Sequence, residues 1–248
     1  MATVGESNPS HRQPAAETGT SAAPLADRNG NRVSSRPSNL VTGGIPDIVI
    51  RRLPVYVRTL SLLADRGVES VSSDELARHI GVTAAQIRRD LSYFGKFGKQ
   101  GKGYSTELLA GTISRILQLD RQWDVALAGF GNLGRAIAHY RGFLPAFRVA
   151  AIFDSSSERS GERFNELTVQ PVERITEIVA AEKIRIGIIA VRTGAAQDVA
   201  DRMIAGGARA LLNYTTVVLR VPANVTVREI DPVGAMQSMT YYLDERDD

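Results

Sequence analysis

Cysteine is absent from the 248 residues, so the chain can form no disulfide, no thiolate zinc site and no cysteine nucleophile. No apolar run approaches the roughly 20 residues a membrane span needs. No apolar segment of the secretory kind follows the first residues. The expectation is a cytoplasmic protein with no membrane partner and no metal site. Histidine is scarce as well, with His11, His79 and His139 the only three. That leaves few candidates for general acid–base catalysis. A marked charge excess is also missing: the net charge of +3 identifies no partner by itself, so the placement of the positive residues decides.

What is present is an ordinary apolar fraction, 43%, on a chain long enough for one large domain or two small ones. Residues 1–44 are rich in Ser, Ala, Pro, Thr, Gly and Asn and poor in large apolar side chains. Such a stretch cannot bury enough surface to offset its ordering entropy, so it is expected to be a disordered arm. From Ile45 the pattern changes. Leu53, Tyr56 or Val57, Leu60 and Leu63 recur at helical spacing up to Asp65. Ser72 with Glu75 predicts a capping box opening a helix over Ser73–Ile80, which Gly81 ends; Thr83 with Gln86 predicts a second box and a helix running to about Phe94. Two short capped helices across a glycine turn, packed by a preceding helix, make a helix-turn-helix. Glycines alternate with Lys96, Lys99 and Lys102 up to Gly103, which suits a β-wing, and a linking helix is expected over 106–119.

Beyond Trp123 apolar runs at 125–128, 149–153, 186–191, 210–212 and 225–230 alternate with helical segments, notably 133–140 and 196–205. That is the signature of a parallel sheet built from βα units. The predicted class is therefore α/β: a winged helix-turn-helix domain over 45–120, joined to a Rossmann-type domain over 121–248 that ends in a helix.

Two sites stand out. Gly129-Phe130-Gly131-Asn132-Leu133-Gly134 follows an apolar strand and opens a helix, the context a dinucleotide fingerprint requires. Gly129 would allow the tight turn, Gly131 the approach of a pyrophosphate, and Gly134 the packing of helix on strand. Asp154 lies 20 positions after Gly134, at the end of the second strand. A carboxylate there accepts from the adenosine ribose hydroxyls and repels a 2′-phosphate, so NAD(H) is favoured over NADP(H), with Arg159 near enough to soften the preference. Read alone, Asp154 is equally an ordinary strand-ending turn residue; the glycine motif, strand and helix together favour a nucleotide. The second site is the helix from Thr83, with Gln86, Arg88, Arg89, Ser92 and Tyr93, continued by the wing lysines. From Thr83 to Gly103 five cations face one acid, Asp90, a local charge of +4. Arginine forks read guanine edges, whereas wing lysines serve mainly as phosphate contacts. A solvated charged face on a protein-binding helix is the bland alternative, and the helix-turn-helix context weighs against it.

About 125 residues follow Trp123, barely enough for the nucleotide fold alone. No room is left for a substrate domain, so the site is expected to sense rather than catalyse. An oxidoreductase with an accessory N-terminal domain is the rival reading, and a regulator binding a CoA derivative a third. At the C-terminus, Val233, Met236, Met239 and Leu243 keep helical spacing beside Tyr241 and Tyr242. The pattern fits a helix docked on its own sheet and one donated to a second subunit equally well.

Taken together these stretches resemble the Rex family of redox-sensing repressors, from about Ile45 to Leu243. The most specific run is Arg88-Arg89-Asp90-Leu91-Ser92-Tyr93-Phe94-Gly95. Arg52-Leu53-Pro54-Val55-Tyr56, Gly101-Lys102-Gly103-Tyr104, the glycine turn with Asn132, and Leu211-Leu212-Asn213-Tyr214 add to it. The resemblance implies a homodimer with a swapped C-terminal helix that binds double-stranded operator DNA when NADH is scarce. NADH would release it, and NAD+ would compete at the same pocket without forcing release. It also implies that Arg52, Tyr140 and Asp231 match a switch between the reading domain and the nucleotide site. Pro232 departs from the family, which can carry an aromatic after that Asp.

Overall fold

The computed structural model describes residues 44–98, 103–143 and 145–243. All of the expected arm but Gly44 lies outside them, as do Lys99 and Lys102 of the wing.

The N-terminal elements follow from local chemistry. Helix α1 (Asp47–Asp65) buries Val49, Leu53, Tyr56, Leu60 and Leu63, a stripe at alternating spacings of four and three. Helix α2 (Ser73–Ile80) starts at the predicted capping box, with Ser72 accepting from the Glu75 amide and Glu75 from the Ser72 amide, and ends at Gly81 in the left-handed region, φ +79°. The helix that follows, α3 (Ala84–Ser92), is capped by Thr83, which accepts from the Gln86 amide. The second box stops at that half. Gln86 turns its side-chain amide to Asp90 instead of returning to Thr83. A two-stranded ladder that the periodicity does not reveal, β1 (Ser70–Val71) against β2 (Tyr104–Ser105), closes the base of the wing. Helix α4 (Thr106–Ile116) then packs Leu109, Ala110 and Ile113 into the core shared with α1.

The chain crosses into β3 (Trp123–Ala128), α5 (Asn132–Ala138), β4 (Phe147–Asp154), β5 (Arg163–Phe164), β6 (Leu167–Pro171), α6 (Ile175–Ala181), β7 (Ile186–Ile189), α7 (Ala196–Ala205), β8 (Ala210–Asn213), β9 (Thr226–Glu229) and α8 (Pro232–Thr240). Seven strands form one sheet in the order β5-β6-β4-β3-β7-β8-β9, parallel throughout except for β5 at the edge. The order reverses between β3 and β7, and ligands of such sheets bind outside the carboxyl ends of the strands at that reversal.

Alternation within the strands sorts the side chains. Ala126, Ala128, Ala151, Phe153 and Ile189 pack under α6 and α7, while Val125, Leu127, Ile152 and Ile188 join a second cluster with Ile137 of α5. This second face keeps an apolar hollow of about 190 Å³ lined by Val125, Phe147, Val149, Ile186, Ile188 and Leu212. Helix α8 buries nothing: Val233, Met236 and Met239 are 51% to 63% exposed, and Leu243 just beyond it is 75% exposed. The alternative in which it docks on its own sheet is therefore corrected.

Candidate functional site

At the strand reversal the three glycines do three different things. Gly129 turns the chain with φ +93°, and a Cβ there would sit 2.2 Å from the Ala190 carbonyl oxygen at the end of β7. A Cβ on Gly134 would fall 1.8 Å from the Gly129 carbonyl oxygen, so helix and loop can meet only at a bare backbone. Gly131 is different. Its φ of −75° suits any residue, and a Cβ would meet nothing within 4 Å. Packing does not ask for glycine here, and the bare backbone leaves room for a ligand to approach. That open backbone is what a pyrophosphate cradle requires, and the residues fit the group. Asn132 and Leu133 are exposed beside it, and Phe130 is buried.

Asp154 ends β4 with its carboxylate buried and fully engaged. Oδ2 accepts from the Phe130 amide at 2.6 Å and Oδ1 from the Ser156 amide at 2.8 Å, while Nη1 of Arg159 lies 3.2 and 3.3 Å from the two oxygens. Burial pushes this carboxyl up, but the two amides and Arg159 outweigh it and hold it below the usual carboxylate range. Asp154 is thus a clamp on the glycine loop. Around it, Arg135 donates through two nitrogens to Glu162 and lies over the Phe130 ring, 4.4 Å from its centroid. His139 stacks edge-on against Phe164, a packing role.

The reading domain has its own buried acid. Asp90, on α3, accepts from Arg52 at 2.6 and 2.8 Å, from the Tyr56 hydroxyl at 2.6 Å and from Gln86 Nε2 at 2.6 Å. Its surroundings would raise its pKa by burial, and these four donations lower it below the ordinary value; the Tyr56 phenol, buried and facing the carboxylate, is pushed up. Arg52 and Gln86 both donate to this cluster in this arrangement. One expectation changes. Asp90 does not subtract from the charge of the reading face, because it is buried and neutralised by α1. Thr83, Arg88, Arg89, Ser92, Tyr93 and Lys96 remain on the exposed side. Ser92 donates back to the Arg89 carbonyl, and Thr83 is spent as a cap.

Asp231 caps α8 by accepting from the Gly234 amide at 2.9 Å, with Pro232 in the first turn where a missing N–H costs nothing. Tyr140 is exposed after α5, its ring over Gly142. It acts on Tyr214, whose phenol is raised first by burial and then by this neighbour.

The cluster of Arg52, Tyr56 and Asp90 was not visible as a unit in the sequence; its only trace is polar residues placed on otherwise apolar helix faces. The Arg135–Glu162 pair left none. Among the described residues no His, Asp and Glu groups converge as a metal site would, and no helix is long and apolar enough to cross a membrane.

Comparison with known proteins agrees with this two-part layout. A family model described as "Putative DNA-binding protein N-terminus" matches residues 44–92, and one described as "CoA binding domain" matches residues 120–217. The chain is 52% identical over 199 residues to the redox-sensing transcriptional repressor Rex of Chloroflexus aurantiacus, covering 80% of this chain and 94% of that one. Its identity to the repressor of the same name from Roseiflexus is 53% (80% and 90% covered), and to that of Streptomyces coelicolor 42% (80% and 78% covered). Among solved structures, RSP in complex with β-NAD+ and operator DNA superposes with a TM-score of 0.77 at 38% identity, covering 82% of this chain and 94% of that one. RSP in complex with β-NADH gives 0.73 at 35% identity, with 82% and 96% covered.

Proposed function

The chain belongs to the Rex family of redox-sensing transcriptional repressors, and from that premise we propose that it is a cytoplasmic, non-catalytic regulator that leaves operator DNA when NADH binds its Rossmann domain. The observation that carries the reading is Gly131. A glycine with room for a side chain, set between two glycines that packing demands at the carboxyl end of β3, supports a place left open for a ligand. Residues 45–120 then serve as the reading domain and 121–248 as the sensor. Gly129 to Gly134 and Asp154 would hold NADH or NAD+. Arg88, Arg89, Ser92, Tyr93 and Lys96, with Lys99 and Lys102, would face the DNA.

The protein works as a homodimer in this reading. Helix α8 has an apolar stripe with no cover of its own, and the second face of the sheet has an apolar hollow. A helix exchanged between two copies would match the two, and a two-fold operator needs paired recognition helices. Each ligand shifts the dimer only by its differential affinity for the two arrangements. Typical couplings of about 1–3 kcal/mol change operator affinity by roughly 5- to 150-fold.

Fluorescence anisotropy on a pool of upstream genomic fragments, titrated with NADH, then NAD+, then CoA, tests this. Binding reversed by NADH and not by equal NAD+ supports the reading. Release by CoA alone would turn it toward the ligand class of the second family model, and absence of DNA binding under all conditions would reopen the oxidoreductase reading.

A further inference from the structure

Dinucleotide sites ordinarily separate two solutions at the adenosine ribose. An acid at the end of the second strand suits NAD(H), whereas an arginine close by accommodates the additional phosphate of NADP(H). Here both are present and in contact, Arg159 Nη1 reaching both oxygens of Asp154. The two arginines of this neighbourhood are held very differently. Arg135 is fixed by two short donations to Glu162 and by the Phe130 ring beneath it. Arg159 is held through one nitrogen at 3.2 to 3.3 Å, with its side chain 42% exposed. The loop between acid and arginine, Ser155-Ser156-Ser157-Glu158, carries exposed hydroxyl-bearing Ser155 and Ser157, and one further acid.

We propose that Arg159 is the specificity-determining residue for the ribose 2′ position: it neutralises the Asp154 charge that would reject a 2′-phosphate and supplies the cation such a phosphate would take. The inference rests on the nucleotide reading above. Asp154 cannot turn away to make room, because it also fastens the Phe130 and Ser156 amides. Discrimination therefore depends on whether its charge is covered, and Arg159 is the cover. The site accordingly takes NADPH as a weaker second ligand instead of excluding it.

The test is equilibrium titration of the full chain with NADH and with NADPH, following the fluorescence of the reduced ring, for the wild type, Arg159→Gln and Arg159→Lys. A charge-assisted contact predicts that Arg159→Gln weakens NADPH by about 10-fold or more and changes NADH by less than about 3-fold. Arg159→Lys keeps the charge and should recover most of the NADPH affinity. An unchanged NADPH-to-NADH ratio in Arg159→Gln, or no NADPH binding by a wild type that binds NADH, overturns the inference and leaves the NADH reading standing. A wild type that binds neither nucleotide overturns both.

Discussion

Asp90 in the reading domain and Asp154 in the nucleotide domain are both buried at the working end of their domain, and in both the donors around the carboxylate outweigh the cost of burial. They differ in where those donors come from. Asp90 takes side chains, Arg52 and Tyr56 from α1 and Gln86 from its own helix, so it ties one helix to another across 38 positions of sequence. Asp154 takes backbone amides on either side of the strand end and one loosely held arginine. The first arrangement is closed around the carboxylate, with four side-chain donations converging on it, and it ties α3 to α1 while Arg88 and Arg89 stay on the exposed side. The second is open, since Arg159 remains half-exposed above the carboxylate. Where side chains supply the donors, the acid ties helix to helix; where amides supply them, a side-chain partner is left near the surface.

The largest effect should come from breaking the closed cluster. Asp90→Ala leaves Arg52 and Tyr56 facing an apolar core, and removal of one partner of a buried pair costs about 3–5 kcal/mol. Chemical denaturation should show that loss in the reading domain, with operator binding lost and NADH affinity kept. The pH dependence has the same origin. The folded pKa of Asp90 lies below its unfolded value near 3.9, so its contribution is fully present above the unfolded value and disappears as pH falls through the folded one. Asp90→Asn should flatten that acid limb and leave stability above about pH 5 without slope from this group. An unaltered acid limb would mean that the cluster is not the one that titrates.

Next come the glycines, which separate fold from function. Gly134→Ala forces a Cβ into the Gly129 carbonyl and should destabilise the sensor domain, visible as a lowered melting temperature. Gly131→Val has open space and an ordinary φ, so the protein should fold, bind operator and ignore NADH. A Gly131→Val protein that still left DNA on NADH addition would remove the cradle from this loop.

Much of this was readable from sequence because the signals are local. Ser72 and Glu75 lie within one turn, the glycine motif spans six residues, and the α7 pattern marks its own ends at Ala196–Ala205. What escaped was set by partners distant in the chain. Gln86 has the spacing of a capping-box residue, and only the packing of α1 on α3 places Asp90 where its amide prefers to go. The β5–β6 hairpin and α6 are short, and α6 has no side-chain cap and buries only Ile175 and Val179, too few for a visible period. The apolar stripe of α8 was legible, yet its partner was not, because exposure is a property of the folded chain.

On the open reading face the expected effects are smaller. Arg89→Ala or Arg88→Ala should cost operator affinity about 1–3 kcal/mol, with specificity relaxed at one base pair if the fork reads a guanine. Lys96→Ala should weaken all sequences alike and reduce the salt slope by about 1. If both arginine variants behaved like the lysine variant, α3 would be gripping phosphates only, and the DNA shape would have to carry the specificity.

The smallest effect belongs to a pair that is neither closed nor open in this sense. Arg228 of β9 donates to Asp47 in the first turn of α1, where Arg51 also donates, so one carboxylate joins the reading domain to the edge strand that leads into Asp231 and α8. Burial raises the Asp47 carboxyl, and the two arginines more than compensate. With Arg228 33% and Asp47 11% exposed, such a pair is worth at most about 1 kcal/mol. Arg228→Gln should therefore leave the melting temperature nearly unchanged and alter the NADH-induced loss of operator affinity by no more than about 5-fold. Reciprocity requires the operator-induced loss of NADH affinity to change by the same factor. The exchange Asp47→Arg with Arg228→Asp should restore it if the pair itself carries the coupling. Abolition of the response by Arg228→Gln alone would exceed what this single part-buried ion pair can supply, and would place Arg228 among groups that one of the ligands contacts directly.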